Sequence, residues 1–199
     1  MSHGHGAGHG VVEGENKKIA ILISVLALFL AISETLGKSA QTDALSFNVE
    51  ASNLWAFYQA KTIRKTTMET AAEQMEVDLK LAKDPIVKDL LDKRVNEWKE
   101  RAARYESEPK PNNKGEGRKE LMARALQAET KRDLALAKYH NFEFGSAAFQ
   151  IAIVLASSYL ITGVLYLLWA AAGLGGLGLL FTAIGIVAPN ALAFLGGHH

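Results

Sequence analysis

The stretch that decides the fold is residues 19–38, "IAILISVLALFLAISETLGK". No charge falls between Ile19 and Ile32, and then Glu34 appears. A membrane-spanning helix needs about 20 residues, at about 1.5 Å each, to cross a hydrocarbon core about 30 Å thick. Ile19–Ile32 supplies only about 21 Å. The 19 residues between Lys18 and Lys38 supply roughly 28 Å. The helix therefore spans only if it carries Glu34. One turn before Lys38, that carboxylate lies near the headgroups, where its cost falls well below the roughly 2.5–3.5 kcal/mol of a central charge. Glu34 and Lys38 are also spaced i, i+4 in the favourable order. Glu34 thus reads first as an interfacial residue paired with Lys38. Its second reading is an ion or proton site, because intramembrane carboxylates commonly serve as one. Lys17 and Lys18 before an apolar run also suit a signal peptide. "FLA" and "KSA" put Phe29 and Lys38 where a small residue is needed, so an uncleaved anchor is expected.

Outward from this stretch, the charges are segregated. The 199 residues carry a formal net charge of +1, without the basic excess of a nucleic-acid binder. From Phe144 to His199 there is no Asp, Glu, Lys or Arg, and 20 of the 22 Lys and Arg lie between Lys38 and Lys138. A charged centre thus separates two apolar blocks. The absence of cysteine excludes disulfides, thiol catalysis and Cys-based zinc sites.

The second block, residues 144–195, is a 52-residue uncharged run, too long for one span and right for two. Thr162-Gly163 is the best place for a turn, and Pro189-Asn190 ends the second span. Tyr159, Tyr166 and Trp169 cluster around the turn, as interfacial aromatics do. Three spans follow; one long buried helix with a re-entrant segment is the alternative. "GLGGLG", residues 173–178, matches a dinucleotide fingerprint letter for letter but has neither the preceding strand nor the acidic residue that the fingerprint needs. Its physical reading is close helix packing through the small-xxx-small pairs Ala171/Gly175 and Ala172/Gly176, against a neighbouring helix of this chain or of another protomer.

The charged centre is helical. Ala40, Ala44, Phe47, Ala51, Leu54, Tyr58, Lys61, Lys65, Met68, Ala72, Met75, Leu79 and Ala82 form one stripe whose steps alternate mainly between four and three, a coiled-coil period. "KDP" at 83–85 stops this helix and starts another, with Asp84 as cap and Pro85 at the first position. Val87, Leu91, Val95, Trp98, Ala102 and Tyr105 face one way on the second helix. Leu121, Ala125, Ala128, Ala135, Tyr139 and Phe142 do so on a third. "SEPKPNNKGEG", residues 107–117, reads as a mobile polar loop. The seam is rich in alanine, so its packing is close but driven by little apolar area.

The expected fold class is all-α: an integral membrane protein with three transmembrane helices and a long antiparallel helical, coiled-coil-like extramembrane stalk. Residues 1–16 form a disordered His- and Gly-rich tail and 17–38 the first transmembrane helix. Residues 39–143 form the stalk, with helices over about 39–83, 85–106 and 118–143 and a loop over 107–117. Residues 144–163 and 164–188 are the second and third transmembrane helices, and 189–199 a C-terminal tail.

Few residues suggest chemistry. "NLWAFYQAKTIRK", residues 53–65, sets Trp55, Phe57 and Tyr58 one to two turns before Lys61, Arg64 and Lys65. Aromatic and basic groups so placed suit lipid headgroups, an anionic ligand or nucleic acid. The plainer reading, which the spacing favours, has the aromatics filling the seam and the basic groups solvated or paired with acids on the return helix. Trp55, Tyr58, Lys61, Arg64 and Lys65 are the interaction candidates. His3, His5 and His9 sit in "HGHGAGHG", where weak capture of Zn, Cu or Ni is conceivable; a plain disordered tail and no metal are expected. No nucleophile, base and orienting group stand together, so no catalytic residue, enzyme activity or cofactor is expected.

"ENKKIAILISVLALFLAISETLGKSAQT" (15–42) and "ASNLWAFYQAKTIRKTT" (51–67) resemble an uncharacterised bacterial family of small membrane proteins catalogued as a domain of unknown function. The resemblance covers most of the chain from Glu15 onward. It implies a bacterial inner (plasma) membrane and a multi-pass architecture, and it transfers no active-site residue. Members of that family often carry basic residues in the turn between the last two spans; "LITGVLYLLW" (160–169) has none. The expected partners are the lipid bilayer and further copies of the chain in a homo-oligomer, with room for another membrane or envelope protein and none for nucleic acid. The expected function is a self-associating helical scaffold or interaction protein. The alternative is an oligomeric channel or transport accessory using Glu34. Loop charge gives a lean towards a cytoplasmic N-terminus, with the stalk and C-terminus outside.

Overall fold

A computed structural model describes residues 9–111 and 115–192, with side chains from Lys17 to Ala191. Four α-helices and a closing 3₁₀ turn make up the described structure: α1 (His9–Leu81), α2 (Pro85–Glu106), α3 (Arg118–Thr162), α4 (Leu165–Val187) and the turn Pro189–Leu192. The protein is all-helical, with no strand among the described residues. Three of the helices, α1, α3 and α4, are long and apolar enough to cross a membrane by length and composition.

Local chemistry sets the breaks. α1 stops at Leu81, two residues before the expected end, because Pro85 bars helical geometry at Asp84. Asp84 is extended (ψ 126°) and its carboxylate accepts a 2.7 Å hydrogen bond from the Ile86 amide, with Pro85 opening α2. α3 and α4 are parted at Gly163, whose φ of 69° suits a residue without a Cβ. α1 begins at His9, so residues 9–16, which the sequence reading gave to a disordered tail, are helical. That reading rested on the His- and Gly-rich composition of the first ten residues, which residues 11–16, with one glycine, share only weakly.

The chain divides into two compact units: residues up to Ala44 together with those from Asp133 onward, and Leu45–Arg132. α1 and α3 contribute to both.

The first unit is built on glycine. On α3, Phe142, Gly145, Phe149, Ala152 and Ala156 are buried; on α4, Ala171, Gly175, Gly178, Thr182 and Gly185 are buried at the same steps in reverse order. Large residues of α3 thus meet small ones of α4. A Cβ added at Gly178 would fall 2.8 Å from Phe149 Cε1, and one at Gly185 2.8 Å from Phe142 Cε1. α1 enters from the other side: a Cβ at Gly175 would meet Leu26 Cδ2 at 2.8 Å, and one at Gly37 would meet Phe142 Cβ at 3.5 Å. The Phe29 ring stacks on Phe149 at 6.0 Å. Small residues permit this close approach, and dispersion between the packed surfaces then holds the helices.

In the second unit α1 runs against α2 and the first turns of α3. Lys61 meets Tyr105 and Glu76 pairs with Lys99, so α1 and α2 are antiparallel. All eleven stripe members from Phe47 to Ala82 are buried or half-buried. The compact core is Ala51, Leu54, Leu121, Ala125 and Ala128, with Trp55 and Tyr58 against it. Val87, assigned to the inner face of α2, is exposed. It lies in the first turn of that helix, two residues after its proline.

Candidate functional site

Two clusters of interacting polar side chains stand out among the described residues, one in each unit. In the second unit the aromatic and basic residues of α1 meet α2 and α3. Trp55 Nε1 donates to Glu129 Oε1 at 2.8 Å, and its ring meets Tyr58 edge-on at 5.5 Å. Arg118, at the start of α3, lies over the Tyr58 ring at 4.9 Å and donates to its hydroxyl at 2.8 Å. The same guanidinium donates to Glu106 at 2.8 Å, and Lys65 reaches Glu106 at 3.2 Å and Glu69 at 3.3 Å. Lys61 sits over the Tyr105 ring at 5.3 Å. Arg64 is exposed. Four of the five interaction candidates therefore have partners within their own unit.

Glu120 closes the corner between α2 and α3. Its carboxylate accepts from the Ser107 hydroxyl at 2.6 Å and from the Glu108 amide at 3.2 Å. Gly115 and Gly117 are buried against this turn. The described part of the 107–117 loop, read from sequence as mobile, is thus tied at both ends, because an acid in the first turn of α3 accepts from the Ser107 hydroxyl and the Glu108 amide just past the end of α2. The hydrogen bond from Lys65 holds Glu106 below the usual glutamate range. The hydrogen bond from Ser107 does the same for Glu120. Lys65 is raised by its bonds to Glu106 and then Glu69.

In the first unit the polar layer lies where three helices converge. Ser33 of α1 is fully buried; its hydroxyl donates to the Phe142 carbonyl at 3.0 Å and lies 3.3 Å from Thr182 Oγ1. Thr182 in turn donates to the Gly178 carbonyl at 2.8 Å. A Cβ at Gly145 would fall 2.7 Å from Thr182 Oγ1 and 3.2 Å from Ser33 Oγ. Asn141 donates to the Ala137 and Pro189 carbonyls at 2.8 and 2.9 Å, tying the closing turn to α3. On the outer surface beside this layer, Gln150 Nε2 donates to Glu34 Oε1 at 3.2 Å. The expected pairing of Glu34 with Lys38 does not form. Glu34 reaches across to the Gln150 amide of α3 instead of along its own helix.

Residues 15–188 match the family described as a domain of unknown function (DUF4337). The chain belongs to this family. No curated protein and no solved structure matches it.

In this DUF4337 chain the two small-residue pairs of α4 separate. Ala171 and Gly175 are buried in the first unit, whereas Ala172 and Gly176 are exposed, and a Cβ at Gly176 would meet nothing within 4 Å. His3 and His5 lie outside the described residues, as does the side chain of His9. Among the described residues no three His, Asp or Glu side chains are grouped as a metal site would need. Sequence reading missed Gln150, Arg118, Glu106, Glu120 and Glu129. Gln150 carried a usable signal, as the one amide side chain in the apolar run 144–162. The others are ordinary charged residues of a charged segment, distinguished only by what they face.

Proposed function

We propose that this protein is a multi-pass membrane protein of the cell inner (plasma) membrane, a self-associating helical scaffold without catalytic activity. The observation that carries the reading is how little of its apolar helix surface is covered. In the most apolar windows of α1, α3 and α4 only 17%, 33% and 28% of residues are buried within the chain. Ile21, Leu28, Ile151, Val154, Ile161 and Trp169 are each more than half exposed. Soluble monomers rarely show contiguous apolar surface on this scale, and lipid is the medium that accepts it. The aromatics Tyr166 (84% exposed) and Trp169 (71%) near the Gly163 turn suit the interfacial belt of the far leaflet.

On this reading residues 45–132 form a charged antiparallel stalk outside the bilayer. Its core is mostly alanine, which supports association with further copies. Carbonate washing and detergent phase partitioning test the membrane assignment: the protein stays with the lipid fraction, and recovery in the aqueous fraction overturns it. Light scattering of the purified protein tests self-association, and a strict monomer counts against it.

A channel or transport accessory is the second reading, favoured by one observation: the exposed Glu34 carboxylate on the apolar unit. Ion flux through proteoliposomes that Glu34→Ala leaves unchanged removes it.

A further inference from the structure

Ser33, Asn141 and Thr182, buried among α1, α3 and α4, are held by partners inside the unit. Glu34 and Gln150 are different: they are bonded to each other, yet both are exposed on the outer surface. Their surroundings are apolar, with Ile151 and Val154 of α3 52% and 62% exposed. Their level is informative. Glu143 is the last charged residue of α3, and Gln150 lies seven residues beyond it, about 10 Å along the helix axis. Ser33 bonds the Phe142 carbonyl and Gly37 packs on Phe142, so Glu34 itself stands level with the residues just past Glu143, and its carboxylate meets the Gln150 amide about one turn inside the apolar part of α3. On the membrane reading, which this inference rests on, an ionisable group there faces lipid unless something covers it, and such groups regularly face protein instead.

We infer that a second copy of this chain covers the Glu34–Gln150 pair, making it the centre of a two-fold interface within the membrane. Three features of the patch select that occupant. The pair holds one acceptor-only group and one amide, so a two-fold axis sets the carboxylate of each copy beside the amide of the other; the patch is complementary to itself. Ala31 and Ala27 precede Glu34 at steps of three and four on the exposed face of α1, so two α1 helices can approach closely there. Lys38, one turn beyond Glu34, is also exposed and lies at the polar end of the same face, so it places no second charge inside the apolar contact. The exposed Ala172/Gly176 pair on α4 offers small residues without any polar group, and so lacks this self-recognition.

The chain has no cysteine, which makes the test direct. Ala31→Cys in the full-length protein, oxidised in native membranes with copper phenanthroline, gives a disulfide-linked homodimer. Gly176→Cys, treated identically, stays monomeric. Adding Glu34→Ala or Gln150→Ala to Ala31→Cys lowers the cross-linked fraction five- to tenfold, because the two-fold axis removes two interhelical hydrogen bonds with each change. Adding Glu34→Gln preserves it, since an amide both donates and accepts, and this variant separates loss of the interface from loss of the fold. A dimer through Gly176→Cys and none through Ala31→Cys overturns this interface while leaving self-association standing. Monomers at both positions overturn this interface, and light scattering of the same protein then decides separately whether self-association stands. A cross-link from Ala31→Cys to a different protein, identified by mass spectrometry, overturns the choice of occupant.

Discussion

The ring of Phe149 lies against Gly178 so closely that a Cβ there would come within 2.8 to 3.0 Å of three of its atoms. Phe149 is fully buried, between α4 and Phe29 of α1, and has no free space to turn into. Gly178→Ala is therefore expected to destabilise the three-helix unit by about 1–3 kcal/mol through overpacking. Gly176→Ala, two positions away and open on the surface, is expected to be neutral or to stabilise by up to about 1 kcal/mol through helix propensity. Thermal unfolding of the two variants in the same detergent separates them; equal midpoints contradict the packing.

The Ser33 hydroxyl is the polar tie between α1 and α3 across 109 positions of sequence. Ser33→Ala removes that tie and leaves Thr182 its bond to Gly178. The expected loss is about 0.6 kcal/mol, the average for a hydrogen bond between membrane helices. Ser33→Leu is expected to cost several times more, because the residue is fully buried beside Gly145 and has no room to grow. Detergent unfolding curves that rank the two variants the other way refute this.

Acid should loosen the corner between α2 and α3. Glu106 and Glu120 both titrate below the usual glutamate range in the folded chain. A lowered folded value means the stabilisation is complete above the unfolded glutamate range and is lost as pH falls through the folded value. Lys65 is raised, so its share persists up to the usual lysine range and is lost as alkaline pH passes its folded value. The protection of the Leu121 amide, which bonds to the Gly117 carbonyl, against hydrogen exchange (its rate relative to the intrinsic rate at each pH) is expected to fall below the carboxylate range. Glu120→Gln flattens that response; an unaltered acid profile in this variant contradicts the assignment.

The turn at Gly163 holds a left-handed conformation with nothing within 4 Å of a Cβ built there. Gly163→Ala should therefore cost about 1–2 kcal/mol from backbone strain alone, without steric conflict. Gly163→Asn should recover part of it, since Asn tolerates that region better than other side chains. Detergent melts of the two variants provide the comparison.

A reporter inserted within residues 110–114 checks the orientation across the membrane. The lean drawn from loop charge expects a non-cytoplasmic signal, and a cytoplasmic one reverses it.

Much of the fold was legible because it rests on short-range rules. The stop before Pro85 and the Asp84 cap are local stereochemistry, readable in three letters. The eleven stripe members from Phe47 to Ala82 were readable because helical period and burial are tied by geometry. What faces what was less legible. Ala171/Gly175 and Ala172/Gly176 are equivalent as letters, and only the rotation of α4 buries one pair and exposes the other. Glu34 has a basic residue four positions away, and only the packing of α1 on α3 gives it Gln150 instead.

By itself the sequence determined the helical class, the apolar segments long enough to span, the proline stop and the alanine seam. These depend on chain-local hydrophobicity and backbone sterics, which neighbouring residues settle among themselves. Tertiary structure alone decided that Phe142 and Phe149 fill the gaps left by Gly185 and Gly178, that Glu106 unites Lys65 and Arg118, and that Glu34 meets Gln150. Those relationships depend on how helices distant in sequence rotate against one another, and helical period fixes the face of a residue without fixing its partner.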